Sequence, residues 1–405
     1  MRSDVDAADT RSGVMTPSND GKGRASGERA AGSAPAPRIA LVLGGGGMKG
    51  FAHIGVLKAL EERGIRPMRY AGTSIGALIG AAAVAGMSPD ELARRAESLR
   101  RRDLFRLNHF GMLMDRMRSR SIYMEEPLRD LCNAIVPDGT FDDLDTDLQV
   151  NTVDVERGTQ IIWGLSGLRD VSVRDAVYAS CSLPGFFPPG QVDGRMCIDG
   201  GVIDNMPAAI ASLDMDMVIA GDVGSSDLEM LPGVAQQGFA TIYMRAATTM
   251  MHALQQFPLA QWSGPPMLLI RPKVGRDWLS FSQSVQHIRE GYRAAAKALE
   301  HFDTYLEQPG GIFPRKRVEL NVIREKCIGC GLCAAIAPTY FGLDSTGKAF
   351  ARTKVVEWSS ADGDFVHHCP TLAIEATRQD LVTPPAAAEL VDSDTPESSK
   401  AVGAA

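Results

Sequence analysis

The chain has 405 residues, enough for two or more folded units that each bury a hydrophobic core. Apolar residues make up 44% and charged residues 22%, and the formal net charge of −7 offers no overall basic field to nucleic acid. The N-terminal residues MRSDVDAADT contain no apolar run of the kind found in signal peptides, which predicts a cytoplasmic location. Seven cysteines in a cytoplasmic chain argue against a disulfide framework.

The first segment with a regular pattern begins near residue 38. Residues 1–37 are rich in Ala, Gly, Ser and Asp without apolar periodicity, which predicts disorder. From 38 to about 310, short apolar runs alternate with helical stretches. The predicted strands are RIALVLG, IRPMRYAG, MDMVIAGDV and PPMLLIRP. This alternation predicts an α/β layered domain with a mostly parallel sheet.

The pattern changes after a Gly/Pro-rich joint, QPGGIFPRKR (308–317). A compact unit with four grouped cysteines follows over residues 316–378. Residues 379–405 contain three prolines, several alanines and five acidic side chains, which predicts a solvated, disordered tail.

The run IALVLGGGGMKG (39–50) places an apolar strand before four glycines and a lysine. Its last six residues fit G-x-G-x-x-G, but a dinucleotide site would need an acidic residue at the end of the next strand, which reads YAGTSIG. A phosphate-binding P-loop would need Ser or Thr after Lys49, where Gly50 stands. Two interpretations remain at this point, an anion-binding loop of another kind and a turn that serves close packing.

The stretch GTSIG (72–76) fits G-x-S-x-G between a predicted strand and a predicted helix, which is the context of a nucleophile elbow. Ser74 would then stand exposed at the carboxyl edge of the sheet. Because neighbouring parallel strands end at the same edge, the glycine loop is expected beside Ser74. Its amides could stabilise the oxyanion that forms when a serine attacks a carbonyl.

A serine nucleophile needs a base, and Asp199 in CIDGGVIDNMPA (197–208) is the favoured candidate. A carboxylate can act as general base in a partly dry pocket that raises its pKa toward neutrality. A conventional Ser–His–Asp arrangement with His252 or His287 as base is the weaker alternative. His53, on the helix after the glycine loop, is expected to be a structural residue.

These motifs, in this order, resemble those of bacterial patatin-like phospholipases over residues 38 to about 305. The resemblance implies a three-layer α/β/α domain, placed here at 38–310, with a Ser74–Asp199 dyad. It implies that a lipid ester or phospholipid is the substrate and that Ser74 takes the acyl group. The implied oxyanion donors are Gly45, Gly46 and Gly47. The motif residues that support them are Lys49, Gly50, Gly72, Gly76, Gly200 and Gly201.

Residues 94–120 contain nine arginines against three acids, with interleaved Phe, Leu and Met. The favoured interpretation is an ordinary solvated helix face with its own buried stripe, and peripheral contact with the inner face of a membrane is the alternative. The second interpretation predicts a cytoplasmic protein that touches the membrane surface.

The grouped cysteines are Cys327, Cys330 and Cys333 at C-x₂-C-x₂-C spacing, and Cys369 followed by Pro370. Three thiolates within seven residues can wrap one face of a cubane cluster, while a fourth comes from a distance. This stretch resembles single-cluster bacterial ferredoxins, which have a small α+β fold. The resemblance implies one [4Fe–4S] cluster, with [3Fe–4S] and zinc as alternatives. Eight acidic and eight basic residues over 316–380 give no strong electrostatic preference for a redox partner.

Two function classes follow from these motifs. The first is a serine acyl hydrolase with a fused iron–sulfur unit for electron transfer or redox sensing. The second is a lipid-binding electron-transfer protein whose hydrolase domain is inactive. The presence of Ser74, Asp199 and the glycine loop together favours the first.

Overall fold

Strand β1 (Ile39–Leu43) lies in the interior of the main sheet, with all five residues buried. It pairs in parallel with β2 (Arg69–Thr73) and with β7 (Met217–Gly221). Burial on both faces explains its unbroken apolar sequence. The structure, a computed structural model, describes residues 36–108, 121–224, 232–275, 280–359, 362, 365–366 and 368–382.

Within these residues, nine strands form the main sheet in the order β5-β6-β3-β2-β1-β7-β8-β9, with β4 paired to β3. The remaining strands are β3 (Asp147–Asp154), β4 (Thr159–Trp163), β5 (Gly190–Val192), β6 (Arg195–Asp199), β8 (Met267–Ile270) and β9 (Ile312–Phe313). The pairings of β3 with β4, β3 with β6 and β5 with β6 are antiparallel, and the others are parallel. The prediction of a mostly parallel sheet is confirmed.

Side chains of β1 alternate between two hydrophobic clusters, which shows that both faces of the sheet are covered. Leu41 and Leu43 belong to the larger cluster, and Ala40 and Val42 belong to the smaller one. The helices of this layered domain are α1 (Ala52–Glu62), α2 (Ile75–Val84), α3 (Pro89–Ser98), α4 (Arg101–Leu104), α5 (Glu126–Ile135), α6 (Val173–Cys181), α7 (Ala208–Ala211), α8 (Phe239–Ala260), α9 (Ser284–Ala298) and α10 (Phe302–Leu306).

A small antiparallel unit follows the main sheet almost without a linker. Its three-stranded sheet has the order β13-β10-β14, and a second sheet pairs β11 with β12. Helix α11 lies between β10 and β11 in the chain. The elements are β10 (Arg315–Val322), α11 (Leu332–Ile336), β11 (Phe341–Leu343), β12 (Ala349–Ala351), β13 (Val355–Trp358) and β14 (Ile374–Val382). A separate core around Phe341 and Phe365 supports the unit.

The structure shifts two boundaries expected from the sequence. The layered domain extends past residue 310, because β9 pairs in parallel with β8. The small unit extends past residue 378, because β14 pairs with β10 as far as Val382. The rest of the segments predicted to be disordered, residues 1–35 and 383–405, lies outside the described residues. Among the helices that the structure describes, none is long and apolar enough to cross a membrane.

Candidate active site

Ser74 stands at the sharp turn between β2 and α2, with φ +56° and ψ −128°. A positive φ at a residue with a side chain is strained and persists only where the surroundings enforce it. The Ser74 amide donates to Ser180 Oγ at 2.8 Å, and Ser180 Oγ donates to the Asn151 carbonyl at 2.7 Å. This pair of hydrogen bonds holds the strained turn against β3 and α6.

The glycines that flank Ser74 allow close packing of the turn. A Cβ on Gly76 would lie 2.0 Å from the Leu43 carbonyl oxygen, and one on Gly72 would lie 2.5 Å from the Ala77 nitrogen. A Cβ on Gly50 would lie 2.1 Å from a methyl carbon of Ile75. Any side chain at these positions would push the turn away from the glycine loop.

Asp199 ends β6, which pairs with β3 so that Asp199 lies opposite Thr152. The Gly201 amide donates a hydrogen bond to its carboxylate at 2.8 Å. Burial raises the pKa of Asp199 to about 6, although this hydrogen bond and the nearby Ser74 hydroxyl oppose the rise. The site therefore places a serine hydroxyl near a carboxylate whose pKa is close to neutral.

Asp199 needs the glycines that follow it. A Cβ on Gly200 would lie 2.4 Å from Asn151 Nδ2. One on Gly201 would lie 2.7 Å from the terminal carbon of Met251 and 3.1 Å from the Asp199 carboxylate. The sequence DGG thus lets the backbone fold back tightly and donate an amide to its own aspartate.

The glycine loop lies against Ser74, as a Cβ on Gly45 would be 3.2 Å from Ser74 Cβ. The Gly45 amide, however, donates to the Asn205 carbonyl at 3.2 Å. This removes Gly45 from the three expected oxyanion donors, because its N–H is already used. The Gly46 and Gly47 amides have no acceptor among the described residues, and they stand at the start of a short helical turn, Gly47–Phe51.

Two side chains hold this loop: Asn205, which the sequence motifs did not single out, and His53, for which the sequence predicts a structural role. Asn205 Nδ2 donates to the Gly45 carbonyl at 3.0 Å. His53 Nε2 lies 2.8 Å from the Gly44 carbonyl, and burial lowers the pKa of His53 to about 4, so the neutral ring donates this bond. The role of Asn205 could be predicted from its position six residues after Asp199, in the same turn. His53 gave no signal beyond its place on α1, where the expected structural role agrees with its complete burial.

Lys49 was expected to support the glycine motif. Its side chain is completely buried, which is unusual for a lysine. It lies in the helical turn Gly47–Phe51, and its Cε is 3.7 Å from the position of a Cβ on Gly46. Lys49 therefore packs behind the loop.

The four grouped cysteines, Cys327, Cys330, Cys333 and Cys369, line one small cavity of about 20 Å³ in the antiparallel unit. Backbone amides point at two of the sulfurs: Ala349 donates to Cys327 Sγ at 3.4 Å, and Ala373 donates to Cys369 Sγ at 3.2 Å. Proteins hold iron–sulfur clusters by cysteine sulfurs that accept hydrogen bonds from backbone amides. The four cysteines therefore fit such a group. No three His, Cys, Asp or Glu side chains of the described residues are grouped to hold a single metal ion.

Two parts of the chain, one around each site, match known protein families. Residues 41–212 match the family of patatin-like phospholipases, a span that includes Ser74, Asp199 and the glycine loop. The chain contains a patatin-like phospholipase domain. Residues 318–376 match the 4Fe-4S single cluster domain, a span that includes all four grouped cysteines.

The patatin-like domain also has relatives among curated proteins. An uncharacterized NTE family protein of Mycobacterium bovis is 36% identical over 192 residues, which are 47% of this chain and 50% of that protein. Human patatin-like phospholipase domain-containing protein 6 is 36% identical over 47% of this chain and 14% of its own length. Lysophospholipase NTE1 of Coccidioides immitis is 35% identical over 47% of this chain and 12% of its own length. The chain thus matches half or less of each relative.

Among solved structures, VipD from Legionella pneumophila is similar with a TM-score of 0.37 and 16% identity, over 66% of this chain and 67% of that one. ExoU of Pseudomonas aeruginosa, in complex with SpcU, is similar with a TM-score of 0.36 and 17% identity, over 67% of this chain and 53% of that one.

Ser74 and Asp199 of the patatin-like domain open into an apolar cavity of about 160 Å³. Gly46, Gly47, Ser74 and Asp199 contribute to its wall. Its apolar lining comes from helices α1, α2, α3 and α5, and includes Ile54, Leu78, Ile79, Leu92, Leu128 and Leu131. A cavity of this composition accepts an aliphatic chain beside the nucleophile.

The alternative bases are two histidines of the patatin-like domain. His287 is buried, with its Nδ1 3.2 Å from the Met48 carbonyl. His252 lines the same cavity as Ser74 and Asp199, and its Nε2 lies 3.3 Å from Gln256 Nε2. The Ser74 hydroxyl lies near enough to the Asp199 carboxylate to lower its pKa, which favours the carboxylate as base.

The arginine-rich segment is described only over residues 94–108, and 109–120 lie outside the described residues. Within the described part, Arg95, Leu99 and Phe105 line the catalytic cavity. The two interpretations of this segment, a solvated helix face and a membrane contact, both stay predictions.

Proposed function

We propose that the chain is a serine acyl hydrolase that cleaves carboxylic esters of lipids. The observation that carries this proposal is the position of the Ser74 hydroxyl near the Asp199 carboxylate in the wall of an apolar cavity. The nucleophile, its base and a space for an acyl chain share one site.

In the first half of the reaction, Ser74 Oγ attacks the ester carbonyl carbon while the Asp199 carboxylate accepts the hydroxyl proton. The carbonyl oxygen becomes an oxyanion, and the Gly46 and Gly47 amides donate to it. Preorganised donors of this kind contribute about 3–4 kcal/mol each to the transition state. The C–O bond then breaks, and the departing alcohol takes the proton from Asp199.

In the second half, water attacks the acyl-serine. Asp199 accepts a proton from that water, the same amides hold the second oxyanion, and Ser74 recovers its proton as the fatty acid leaves. A base with a pKa of about 6 is suited to both steps, because it is ionised at pH 7 and can still return the proton.

The substrate class rests on the cavity and on the relatives. Its apolar lining favours an aliphatic acyl chain over a sugar or peptide. The similarity to lysophospholipase NTE1 supports a phospholipid or lysophospholipid as the ester.

The test is fluorophosphonate labelling of anaerobically purified protein, with the modified residue located by mass spectrometry. We expect labelling at Ser74 that is lost in Asp199→Asn and in Ser74→Ala. Labelling is then followed by assays of fatty acid release from phospholipid, lysophospholipid and a short soluble ester. A folded protein without labelling at Ser74 would favour the lipid-binding electron carrier.

We infer that Cys327, Cys330, Cys333 and Cys369 hold one [4Fe–4S] cluster. The shared cavity, the amide-to-sulfur hydrogen bonds and the family match support this ligand set. Such a cluster supplies one-electron redox chemistry, which suits electron transfer or redox sensing. Iron and sulfide analysis with electron paramagnetic resonance of the reduced protein distinguishes a [4Fe–4S] from a [3Fe–4S] cluster and from zinc.

A further inference from the structure

Helix α8 (Phe239–Ala260) has two faces of different character. One face contributes Thr248, Met251, His252 and Gln255 to the wall of the catalytic cavity. The other carries large apolar side chains that are open to solvent: Tyr243 (46% exposed), Met250 (60%), Leu254 (48%) and Phe257 (65%). We call these four residues the α8 stripe.

The α8 stripe is continuous along the helix. Its members follow one another at spacings of seven, four and three residues, which places them on one side of an α-helix. The cavity-lining residues fall on the opposite side at the same periodicity. The helix therefore separates the catalytic cavity from an exposed apolar surface.

The four side chains of the α8 stripe are exposed, so packing inside the protein does not explain their apolar character. Exposed apolar side chains scattered singly are ordinary, but four in one stripe indicate a binding surface. The helix sequence FATIYMRAATTMMHALQQFPLA contains no acidic residue and one basic residue, Arg245. Such a helix meets no repulsion from anionic lipid head groups, whereas the chain as a whole carries a net charge of −7.

We propose that the α8 stripe docks on the surface of a phospholipid bilayer. This inference rests on the proposed function, because a lipid ester hydrolase must receive its substrate from a lipid phase. A helix with a solvent-exposed apolar stripe lies in the plane of such an interface, with that face in the acyl boundary. The other face of the same helix would then hold the catalytic cavity just above the lipid.

The experiment is flotation with vesicles of phosphatidylcholine and a minor fraction of phosphatidylglycerol. All proteins carry Ser74→Ala, so that binding is measured without hydrolysis. The test variant is Met250→Asp with Phe257→Asp, and the matched control is Leu213→Asp, since Leu213 is 56% exposed outside the stripe. We expect the test variant to lose vesicle affinity by roughly tenfold or more, because two apolar side chains leave the lipid. The control is expected to bind like its parent.

A second readout uses a conservative substitution. Tryptophan placed by Tyr243→Trp should be quenched by brominated lipids in the vesicles, whereas Leu213→Trp should not. Equal quenching of both, or equal flotation of test and control variants, would overturn the proposal.

Light scattering covers the other possible occupant, a second copy of this chain. A dimer that Met250→Asp with Phe257→Asp converts to monomer, without vesicle binding by the parent, would also overturn the proposal. Absence of Ser74 labelling in the wild-type protein with intact vesicle binding would instead mean that the proposed hydrolase function fails while the docking surface stands.

Discussion

Asn205 and Gly45 exchange two hydrogen bonds. The Gly45 amide donates to the Asn205 carbonyl at 3.2 Å, and Asn205 Nδ2 donates to the Gly45 carbonyl at 3.0 Å. Asn205 follows the turn that carries Asp199, so this pair joins the loop of the proposed base to the loop of the proposed oxyanion donors. The two parts of the site therefore have a fixed separation.

Replacing Asn205 by Ala should reduce the rate of hydrolysis with little effect on substrate binding. The substitution leaves the Gly45 carbonyl without its side-chain donor, a loss of about 1–3 kcal/mol for a buried group. We expect kcat to fall roughly tenfold or more, with KM changing less. The control is Asn321→Ala, an exposed asparagine in the small unit. A parallel change of kcat and KM in Asn205→Ala would contradict a role in placing the loop.

The pH dependence of hydrolysis should follow the ionisation of Asp199. Its pKa is raised to about 6 by burial, and only the ionised carboxylate can accept the Ser74 proton. We expect kcat/KM to rise between pH 5 and 7 and then to level off, measured with a soluble ester. A profile that is flat over this range would show that Asp199 is not the base that titrates.

The same carboxylate should destabilise the fold at neutral pH. Between pH 4 and 6 the folded protein keeps a proton on Asp199 that the unfolded chain releases, so the free energy of unfolding falls as pH rises. Asp199→Asn removes this cost and should stabilise the protein at pH 8 by about 3 kcal/mol, with little effect at pH 4. Urea unfolding at both pH values measures the difference.

The substitution Asp216→Asn should change the pH dependence of the free energy of unfolding in the opposite direction. Its hydrogen bonds with Arg38 lower the pKa of Asp216, so the native carboxylate stabilises the fold above its unfolded pKa, and this stability is lost as pH falls. The Asp216→Asn variant should therefore be the less stable one at pH 8. Identical pH trends for the two variants would refute the assignment of the Asp199 effect.

Ser180→Ala should weaken the nucleophile turn. The change removes the acceptor of the Ser74 amide and the donor to the Asn151 carbonyl, both in a buried setting. We expect the rate of fluorophosphonate labelling at Ser74 to fall roughly tenfold, because the strained φ is no longer held. Ser98→Ala, on the exposed end of α3, is the control and should label at the parental rate. Unchanged labelling of Ser180→Ala would show that the turn keeps its geometry without this bond.

Cys369→Ser should lower the iron content and the visible absorbance of anaerobically reconstituted protein, because it removes the proposed ligand that comes from outside the C-x₂-C-x₂-C run. Cys197→Ser serves as the control, since Cys197 is buried in strand β6 of the patatin-like domain. Equal iron content in both variants would exclude Cys369 from the ligand set.

The sequence predicted the parts of the site that lie in local motifs. Ser74 and Asp199 sit in short patterns whose glycines have a steric reason, and parallel pairing of β1 with β2 brings the glycine loop to Ser74. The role of Gly45 was predicted wrongly, because its partner Asn205 is distant in sequence. Ser180 acts through contacts with Ser74 and Asn151, which are distant from it in sequence, so no local pattern encodes its role. The cavity could not be predicted from a local pattern either, because several helices contribute to its wall.

Pro314 is the single residue between β9, the last strand of the main sheet, and β10, the first strand of the small unit. A truncation before Ile312 would take a strand from the main sheet and leave the edge of β8 open to aggregation. A one-residue joint also gives the cysteine unit almost no reach, in contrast to a domain on a flexible tether. The two units are therefore not interchangeable modules, and a redox partner of the proposed cluster would have to come to the cysteines where they stand.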